Sequence, residues 1–245
     1  MNLIIDIGNS LTKLAVYNKN KEIKRWFVKS FNKNILNEIS NNFSIKSSIL
    51  SSVVEIDKNL YELLVNDYGL IIWSAQNLPI KIDYKTEKTL GTDRIAASIG
   101  GYIGNKKKDI LIIQTGTCLT YDIVNSDAVY FGGAISPGID MRFKALHTFT
   151  NKLPLVSYKN IDFIIGKSTN EAILSGVING IITEVDGMID DFKRQLNKDL
   201  LVIITGGYAD FFANKLKNSN FADPNLVMKG LNEIISFYAH TKKNT

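Results

Sequence analysis

Apolar residues along the 245-residue chain occur in two patterns, short continuous runs and stretches with helical spacing. The first run, Leu3-Ile4-Ile5, begins a predicted buried strand at 3–7, and a second strand is predicted at 11–17. Gly8-Asn9-Ser10 lies between them and is typical of a tight turn. The N-terminal pattern therefore predicts a β-hairpin with glycine in its turn.

A second hairpin of the same kind is predicted about halfway along the chain. Its first strand begins at Ile110, its turn is Gly116-Thr117, and its second strand continues through Val124. Identical residues recur at one constant offset along the sequence: Gly8 corresponds to Gly116, Leu11 to Leu119, Thr12 to Thr120 and Val16 to Val124. This repeat predicts an internal duplication, with lobes at 1–108 and 109–245 and a nucleotide cleft between them.

The remaining pattern predicts a mixed α/β protein. Further strands are predicted at 48–54, 70–73 and 200–204. Helices are predicted at 33–42, 57–68, 92–103, 137–148, 168–195, 208–217 and 229–240. Lys242 and Lys243 are interpreted as a frayed tail. Because no Pro-rich or Ser-rich linker occurs, the two lobes are expected to be tightly joined.

Composition narrows the classes of function. The single cysteine, Cys118, excludes an internal disulfide framework and a multi-cysteine zinc site, and it favours a reducing compartment. The N-terminus has neither the basic region nor the long apolar region of a signal peptide, and no later apolar run is expected to be long enough to span a bilayer. We therefore expect a cytoplasmic protein with no membrane partner.

The net charge of +5 does not by itself indicate nucleic-acid binding. Only four of the 29 basic residues are arginines, whereas proteins that read base sequence rely on the arginine fork. The densest basic cluster, Lys106-Lys107-Lys108, is typical of a solvated loop before a strand. We expect no nucleic-acid partner.

Three glycine-containing turns follow predicted strands and carry groups suited to a nucleotide. The first strand ends near Asp6, whose carboxylate suits a hydrated Mg²⁺, and the turn after it offers backbone N–H groups to phosphate, with Lys13 adding a charge. Alone, this turn does not distinguish a phosphate site from an ordinary hairpin. Thr117 lies in the second turn, and Gly206-Gly207 form a third turn whose backbone can approach adenine and ribose closely.

In this order, the three turns resemble the phosphate-1, phosphate-2 and adenosine motifs of the superfamily of acetate and sugar kinases, Hsp70 and actin. The resemblance implies a duplicated actin-like, ribonuclease H-like α/β fold and the use of ATP. The implied ATP contacts are Asp6, Ile7, Gly8, Asn9, Ser10, Leu11, Thr12, Lys13, Thr117, Gly206 and Gly207. Since this fold supports many functions, the acceptor side has to decide the activity.

The acceptor side resembles the type III pantothenate kinases. Gly91-Thr92-Asp93-Arg94 is similar to the Gly-x-Asp-Arg motif of that family, with Tyr84 at the usual distance upstream. The stretches 132–138 and 166–169 resemble two further family motifs, so that the likeness spans nearly the whole chain. It implies phosphorylation of pantothenate by ATP and Mg²⁺ to 4′-phosphopantothenate, the first step of coenzyme A biosynthesis. The implied acceptor contacts are Tyr84, Gly91, Thr92, Asp93, Arg94 and Thr169.

Asp93 and Arg94 also suit, by their own chemistry, an acceptor with a primary hydroxyl and a carboxylate. Thr92 is a predicted N-cap, which places both residues in the first helical turn, where backbone amides favour anions. Asp93 can then accept the hydroxyl proton, as the base of the resembled family does, and Arg94 can bind the carboxylate. An ordinary Asp and Arg pair at a helix N-terminus is the alternative.

Three positions concern metal ions. Asp6 is the predicted Mg²⁺ ligand. Gln114 stands where the resembled family usually has an aspartate that acts as a ligand for a monovalent cation, K⁺ or NH₄⁺. Because an amide oxygen lacks the charge of a carboxylate, we expect weaker activation by these cations. Asp122 is interpreted either as a second Mg²⁺ carboxylate or as a turn-capping residue.

The helix predicted at 168–195 bears on assembly. Its small residues Ala172, Ser175, Gly176 and Gly180 recur at roughly helical spacing, which allows another helix to approach closely. That neighbour can belong to the same chain or to a second copy, and the resemblance favours a homodimer in which Thr169 reaches the acceptor pocket near the interface.

Two other functions stay open at this point. One is phosphorylation of another small-molecule hydroxyl, as in sugar or polyol kinases of the same superfamily, although these carry other acceptor motifs. The other is an ATP-binding regulator with weak or no catalysis, related to transcriptional activators, and Gln114 is the residue that keeps it open. Turnover of ATP with pantothenate, hexoses or glycerol distinguishes the three.

Overall fold

The computed structural model describes residues 1–218 and 221–241, so the tail predicted at Lys242 and Lys243 lies outside the described residues. The chain divides into two compact units. The first comprises Met1–Lys108, Val124–Gly132 and the C-terminal stretch from Asn225, and the second comprises Asp109–Ile123 and Gly133–Pro224. The lobe boundary between residues 108 and 109 stays a prediction.

Strands and helices alternate along the chain. The strands are β1 (Asn2–Ile7), β2 (Thr12–Asn18), β3 (Lys21–Val28), β4 (Ser47–Ser52), β5 (Leu70–Ile71), β6 (Lys81–Ile82), β7 (Ile110–Thr115), β8 (Cys118–Val124), β9 (Val129–Pro137), β10 (Leu201–Gly206) and β11 (Phe221–Ala222). The helices are α1 (Lys33–Asn42), α2 (Lys58–Asp67), α3 (Thr92–Ile103), α4 (Ile139–Thr148), α5 (Thr169–Leu196), α6 (Ala209–Lys215) and α7 (Leu226–Thr241). Both predicted hairpins are confirmed, and each predicted helix is present to within three residues at either end.

The first unit contains a sheet in the order β3-β2-β1-β4-β5. The first three strands form an antiparallel meander, while β4 and β5 extend the sheet in parallel. In this register Asp6 lies opposite Lys13 on one side and beside Ser51 on the other. The sheet therefore gathers three polar side chains where β1 ends.

Apolar faces of helices cover this sheet. Leu36 and Ile39 of α1 and Leu64 of α2 are fully buried against strand residues such as Leu3 and Leu14. Both helices begin with a side-chain cap: the side chain of Asn32 accepts bonds from the N–H groups of residues 34 and 35, and that of Asp57 from residue 60. The apolar periodicity and these caps explain why the sequence pattern located both helices.

Helices α3 and α7 cross at unusually close range in the first unit. A β-carbon built on Gly230 would lie 1.8 Å from the carbonyl oxygen of Ala96, and one built on Gly100 would lie 2.2 Å from that of Leu226. Two glycines thus allow backbone to touch backbone. The crossing fixes α3, the helix whose first turn holds Asp93.

In the second unit, β10 pairs in parallel with β7 and with β11, and β8 follows β7 as its neighbour. Strand β9 begins in the first unit, where Val129 and Tyr130 pair with β6, and it ends in the second unit. The sequence pattern did not predict β9, because Gly132, Gly133 and Pro137 interrupt its apolar residues.

Helix α5 supplies much of the core of the second unit. Its residues Ile178, Ile181, Val185 and Ile189 are almost completely buried in that core. By length and composition alone α5 could cross a membrane, since an 18-residue window has a mean hydropathy of 1.4. The expectation that no apolar segment is long enough is therefore wrong, because small uncharged residues join the apolar ones into one long stretch. The buried apolar side is typical of a core helix.

Candidate active site

The Asp6 carboxylate, at the end of β1, lies in an electrostatically unfavourable position. The Ser51 hydroxyl forms a hydrogen bond with it, while Lys13 and Asp93 act on it through their charges. Burial is the largest effect and raises the pKa of Asp6 to about 6, with Asp93 adding to the rise and Lys13 and Ser51 opposing it. The ionised carboxylate is therefore short of compensating charge, which suits it to a bound cation.

The turn after Asp6 exposes its backbone. The N–H of Gly8 donates to the carbonyl oxygen of Leu11 across 3.1 Å, which closes the turn. Asn9, Ser10 and Leu11 are exposed, whereas Ile7 and Thr12 on the flanking strands are buried. Of the ATP contacts predicted here, residues 9–11 are therefore exposed, and Ile7 and Thr12 are buried in the strand pair.

The first turn of α3 is built differently from the sequence prediction. The N-cap is Gly91 and it makes no side-chain capping bond, so the prediction that Thr92 caps the helix is wrong. The reason is that the Thr92 hydroxyl is used elsewhere, with its Oγ1 atom 2.9 Å from Oγ of Ser51. Asp93 still lies in the first turn, where its Oδ1 accepts the backbone N–H of Arg94 at 2.9 Å.

Gly91 and Arg94, on either side of Asp93, determine the space and the access around it. A β-carbon on Gly91 would lie 2.6 Å from Oδ1 of Asp93, so glycine leaves room for the carboxylate at this point. Arg94 is 6% exposed. A carboxylate can therefore reach the Arg94 guanidinium only if the ligand that carries it enters deeply.

The predicted acceptor residue Tyr84 packs over strand β9. Gly132 has a φ of +92°, and a β-carbon there would lie 3.0 Å from the Tyr84 ring. The ring of Tyr130 meets that of Tyr84 edge to face, with 6.1 Å between centroids. Glycine at position 132 thus leaves room for the Tyr84 ring. This contact connects the predicted acceptor residue Tyr84 with the motif at 132–138.

In the second unit, Thr115 holds the turn that contains Gly206 and Gly207. Its hydroxyl donates to the carbonyl oxygen of Thr205 at 2.8 Å and accepts the N–H of Tyr208 at 3.2 Å. Its carbonyl oxygen accepts the N–H of Gly207 at 2.9 Å. A β-carbon on Gly206, whose φ is +99°, would lie 2.3 Å from the same oxygen. The third turn is therefore fixed by Thr115 of the second hairpin, and the sequence did not predict this contact.

The turn at Gly116 and Thr117 rests on the stretch before α4. The N–H of Gly138 donates to the carbonyl oxygen of Thr117 at 3.1 Å, and a β-carbon on Gly138 would lie 2.2 Å from the carbonyl oxygen of Gly116. The N–H of Gly116 donates to the carbonyl oxygen of Cys118 at 3.0 Å. Together these contacts give the second predicted phosphate turn a fixed backbone.

Tyr208 and Asp140 form a further polar pair that sequence reasoning missed. The Tyr208 hydroxyl lies 3.0 Å from both carboxylate oxygens of Asp140 in the first turn of α4. Burial, followed by this bond, raises the pKa of Tyr208 to about 12. The pair ties the Gly206-Gly207 turn to α4, and no sequence spacing signals it because the two residues are far apart along the chain.

The other predicted metal positions lie on strands of the second unit. Gln114 is partly buried on β7, and Asp122 is fully buried on β8, where its Oδ2 accepts the Thr120 hydroxyl at 3.1 Å. Since Asp122 lies within a strand, its interpretation as a turn-capping residue is wrong. Among residues 1–218 and 221–241, no group of three or more His, Cys, Asp or Glu residues is arranged to hold a metal ion.

Thr169 is the first residue of α5 and is exposed. The helix has a reciprocal cap before it: Ser168 accepts the N–H of Glu171 at 3.3 Å, and the Glu171 carboxylate accepts the N–H of Lys167 at 2.7 Å. Thr169 itself is not needed for capping, so its hydroxyl is presented to solvent.

The small residues predicted along α5 do not share one environment. Ser175 is buried and donates to the carbonyl oxygen of Ile164, whereas Ala172, Gly176 and Gly180 are exposed. β-carbons built on Gly176 and Gly180 would meet nothing within 4 Å. Ser175 therefore packs within its own chain, and the other three form an open strip.

Comparison with known proteins identifies the family in which these motifs occur together. A family model described as type III pantothenate kinase matches residues 2–191. The chain belongs to the type III pantothenate kinase family. A type III pantothenate kinase of Christiangramia forsetii is 44% identical over 243 residues, which cover 97% of this chain and 98% of that protein. The family predicted from the sequence motifs is thereby confirmed.

Solved structures confirm the predicted actin-like fold class for this type III pantothenate kinase family member. A Campylobacter jejuni protein, whose name places it in the Baf family of transcriptional activators, is similar with a TM-score of 0.62 and 24% identity, covering 97% of this chain and 99% of that one. A ROK family glucokinase from Streptomyces griseus, in complex with glucose and AMPPNP, has a TM-score of 0.52 and 12% identity, covering 96% and 98%. At these identities only the fold is shared, so neither name indicates the activity of this chain.

Proposed function

We propose that the protein transfers the γ-phosphoryl group of ATP to the primary hydroxyl of pantothenate, which forms 4′-phosphopantothenate at the entry to coenzyme A biosynthesis. The observation that carries the proposal is that the acceptor motif of the type III pantothenate kinases, Gly91–Arg94, folds so that the Asp93 carboxylate acts on that of Asp6. A base for the hydroxyl and a ligand for the phosphate-bound metal are thus neighbours within the first unit.

In the proposed reaction the pantothenate hydroxyl oxygen attacks the γ-phosphorus. The bond from phosphorus to the bridging oxygen breaks, ADP leaves with the electron pair, and Asp93 takes the hydroxyl proton. Most of the rate in such transfers comes from positioning and charge stabilisation, with a general base contributing ~10²–10⁴-fold. The bond from the Arg94 N–H holds Oδ1 of Asp93, which directs the carboxylate as a base requires.

The proposed nucleotide contacts lie in the three turns that the sequence motifs mark. In the first unit these are the residues from Asp6 to Lys13, among which residues 9–11 are exposed. In the second unit they are Thr117, Gly206 and Gly207, whose turns have a backbone fixed by the bonds described above. Preformed turns are suited to anionic phosphates because they need no reorganisation on binding.

Asp6 is proposed as the protein ligand of Mg²⁺. Mg²⁺ commonly takes one or two carboxylates and completes its shell with phosphate oxygens and water, so the single perturbed carboxylate at this strand end fits the ion. When bound, the ion neutralises charge on the phosphates. Asp122 fits less well, because it is fully buried and already bonded to Thr120. We place no second metal ion there.

Gln114 is proposed to weaken the response to K⁺ or NH₄⁺. The family motif usually offers an aspartate at this position, and a neutral amide oxygen holds a monovalent cation less tightly than a charged carboxylate does. The partial burial of Gln114 strengthens the contrast, since charge counts for more where water is excluded.

The proposed acceptor contacts are Tyr84, Gly91, Thr92, Arg94 and Thr169. Arg94 would bind the pantothenate carboxylate by a charge-assisted hydrogen bond, which its 6% exposure restricts to a deeply seated acceptor. Tyr84 would pack against the carbon chain, in the position that Gly132 allows.

The active protein is proposed to be a cytoplasmic homodimer. The open strip of Ala172, Gly176 and Gly180 on α5 lies close in sequence to exposed apolar side chains at Ile164 and Ile165, which are 73% and 79% exposed. Exposed apolar residues beside a strip that admits another helix support a surface covered by a second copy. Sedimentation at equilibrium tests this proposal, and a fully active monomer would contradict it.

The acceptor panel tests the activity. Formation of ADP is measured with Mg²⁺ and ATP in the presence of pantothenate, glucose, mannose or glycerol, and mass spectrometry identifies the phosphorylated product. We expect turnover with pantothenate alone. Asp93→Asn should lose turnover at least ~10²-fold and retain ATP binding, while the exposed control Asp127→Asn should behave as the wild type. Turnover with a sugar only, or with no acceptor at all, would overturn the proposal.

A further inference from the structure

Ser51 is a fully buried residue near the end of β4, and none of the motifs described above includes it. It is the neighbour of Asp6 in the parallel register of β1 and β4, and its hydroxyl hydrogen-bonds to the Asp6 carboxylate. On its other side, its Oγ lies 2.9 Å from Oγ1 of Thr92, the first residue of α3. One hydroxyl thus contacts both the strand of Asp6 and the helix of Asp93.

The number of available protons fixes the direction of these bonds. A serine hydroxyl has one proton to donate, and an ionised carboxylate can only accept. With Asp6 ionised, Ser51 must therefore donate to Asp6, and Thr92 must donate to Ser51. The result is a directed chain from the Thr92 hydroxyl through the Ser51 hydroxyl to the Asp6 carboxylate, in which each hydroxyl is used as a donor once.

This chain of hydrogen bonds acts at the start of α3. The N-cap residue Gly91 makes no side-chain capping bond, so the Thr92 hydroxyl is a side-chain anchor of the first turn. The next residue is Asp93, whose negative charge acts unfavourably on Asp6. Because like charges repel, two carboxylates stay close only when the surrounding structure holds their elements together.

We propose that Ser51 is a positioning residue for phosphoryl transfer, which ties the first turn of α3 to β1 and so sets the separation of Asp93 from Asp6. The inference rests on the proposed function, because it assigns Asp93 to the acceptor hydroxyl and Asp6 to the phosphate side. Ser51 itself touches neither substrate. Its effect is to keep the attacking hydroxyl within reach of the phosphorus.

Ser51→Ala tests the proposal directly. Misplacement of reacting groups by about 1 Å costs on the order of 10²-fold in rate, so we expect kcat to fall ~10–100-fold while the KM values for ATP and pantothenate change less than about threefold. ATP binding, measured by calorimetry without acceptor, should stay as in the wild type. The matched control is Ser48→Ala on the same strand: Ser48 is equally buried, but its hydroxyl has no hydrogen-bond partner in the described part of the chain. This control should leave kcat unchanged.

A second pair of variants covers the case in which Ser51→Ala does not fold. Thr92→Val removes the donor at nearly constant shape and should reduce kcat as Ser51→Ala does, whereas Thr92→Ser keeps the hydroxyl and should retain most of the activity. Both residues act through the same chain of hydrogen bonds. The kcat of the double variant Ser51→Ala/Thr92→Val should therefore be no more than about twofold below that of either single variant.

The outcomes separate this inference from the proposed function. If the wild type does not phosphorylate pantothenate, the proposed function has failed. If the wild type is active and Ser51→Ala keeps kcat within twofold, or Ser48→Ala loses as much as Ser51→Ala, Ser51 is not a positioning residue. Equal kcat for Thr92→Val and Thr92→Ser, or fully additive losses of kcat in the double variant, would show that Thr92 does not act through its hydrogen bond to Ser51.

Discussion

The Oδ1 atom of Asp93 lies 2.6 Å from the point that a β-carbon on residue 91 would occupy. Gly91 has an ordinary negative φ of −56°, so its glycine is not needed for backbone conformation. The space is needed instead by the carboxylate of the proposed base.

Gly91→Ala is therefore expected to displace the Asp93 carboxylate without unfolding the helix. We expect kcat to fall by roughly tenfold or more, with ATP affinity unchanged and little loss of thermal stability. Steady-state kinetics and thermal denaturation measure the two effects. The control is Gly104→Ala at the other end of α3, where a β-carbon would meet its nearest neighbour at an ordinary 3.8 Å. Equal losses from the two variants would contradict the explanation.

Thr115→Val should weaken nucleotide binding and largely spare the chemical step. The variant removes both hydroxyl bonds that hold Thr205 and Tyr208, at about 1 kcal/mol each, which corresponds to a rise of roughly tenfold or more in the KM for ATP. Thr115→Ser retains the hydroxyl and should keep the wild-type value. The KM for ATP and the dissociation constant of ADP are the measurements. A drop in kcat with constant KM would argue against this role of Thr115.

The pKa of Asp6 leads to a pH dependence of stability in the protein without metal or nucleotide. The folded protein binds the Asp6 proton more tightly, since the pKa is about 6 there against an ordinary value of 3.8 for a free aspartate. Stability is therefore lost as the pH rises from about 4 to 6, by up to about 3 kcal/mol. Asp6→Asn should raise the free energy of unfolding at pH 8 and change it little at pH 4. Urea unfolding with a chelator present measures both, and a gain of the same size at the two pH values would refute this assignment.

Gln114→Asp should increase activation by K⁺ or NH₄⁺. A carboxylate adds the charge that the amide lacks, and we expect the native protein to respond less than about twofold to these ions and the variant to respond more strongly. Activity in sodium buffer against potassium buffer is the comparison, at constant ionic strength. Strong potassium dependence of the native chain would contradict the role given to Gln114.

Much of the fold followed from local pattern. Hairpins with glycine in the turn and helices with one apolar face are specified by neighbouring residues, so both hairpins and α1 to α7 were predictable. Strand β3 was not predicted, because it is an edge strand in which Lys24 and Arg25 interrupt the apolar residues. Edge strands pair on one side only and need little apolar periodicity.

The candidate site was predictable where a motif is contiguous, as in Gly91–Arg94, and not where its parts are distant in sequence. Ser51, Thr115 and Asp140 act by supporting those motifs from other elements, and no spacing along the chain relates them to the residues they hold. The capping role of Thr92 was mispredicted for the same reason: a threonine before an apolar helix favours a cap locally, and a serine on a distant strand takes its hydroxyl instead.

The closing of the first unit by α7 bears on how the protein is made. The Asn2 side chain donates to that of Asn232, 3.0 Å away, and Gly230 fits against Ala96. Residues of β1 and α3 are thus covered by a helix that is synthesised much later. Domains commonly fold during translation in the order of their synthesis. Here the first unit keeps an uncovered apolar surface until α7 is synthesised. The second unit has all of its residues once Pro224 is synthesised, so it can fold before the first unit does.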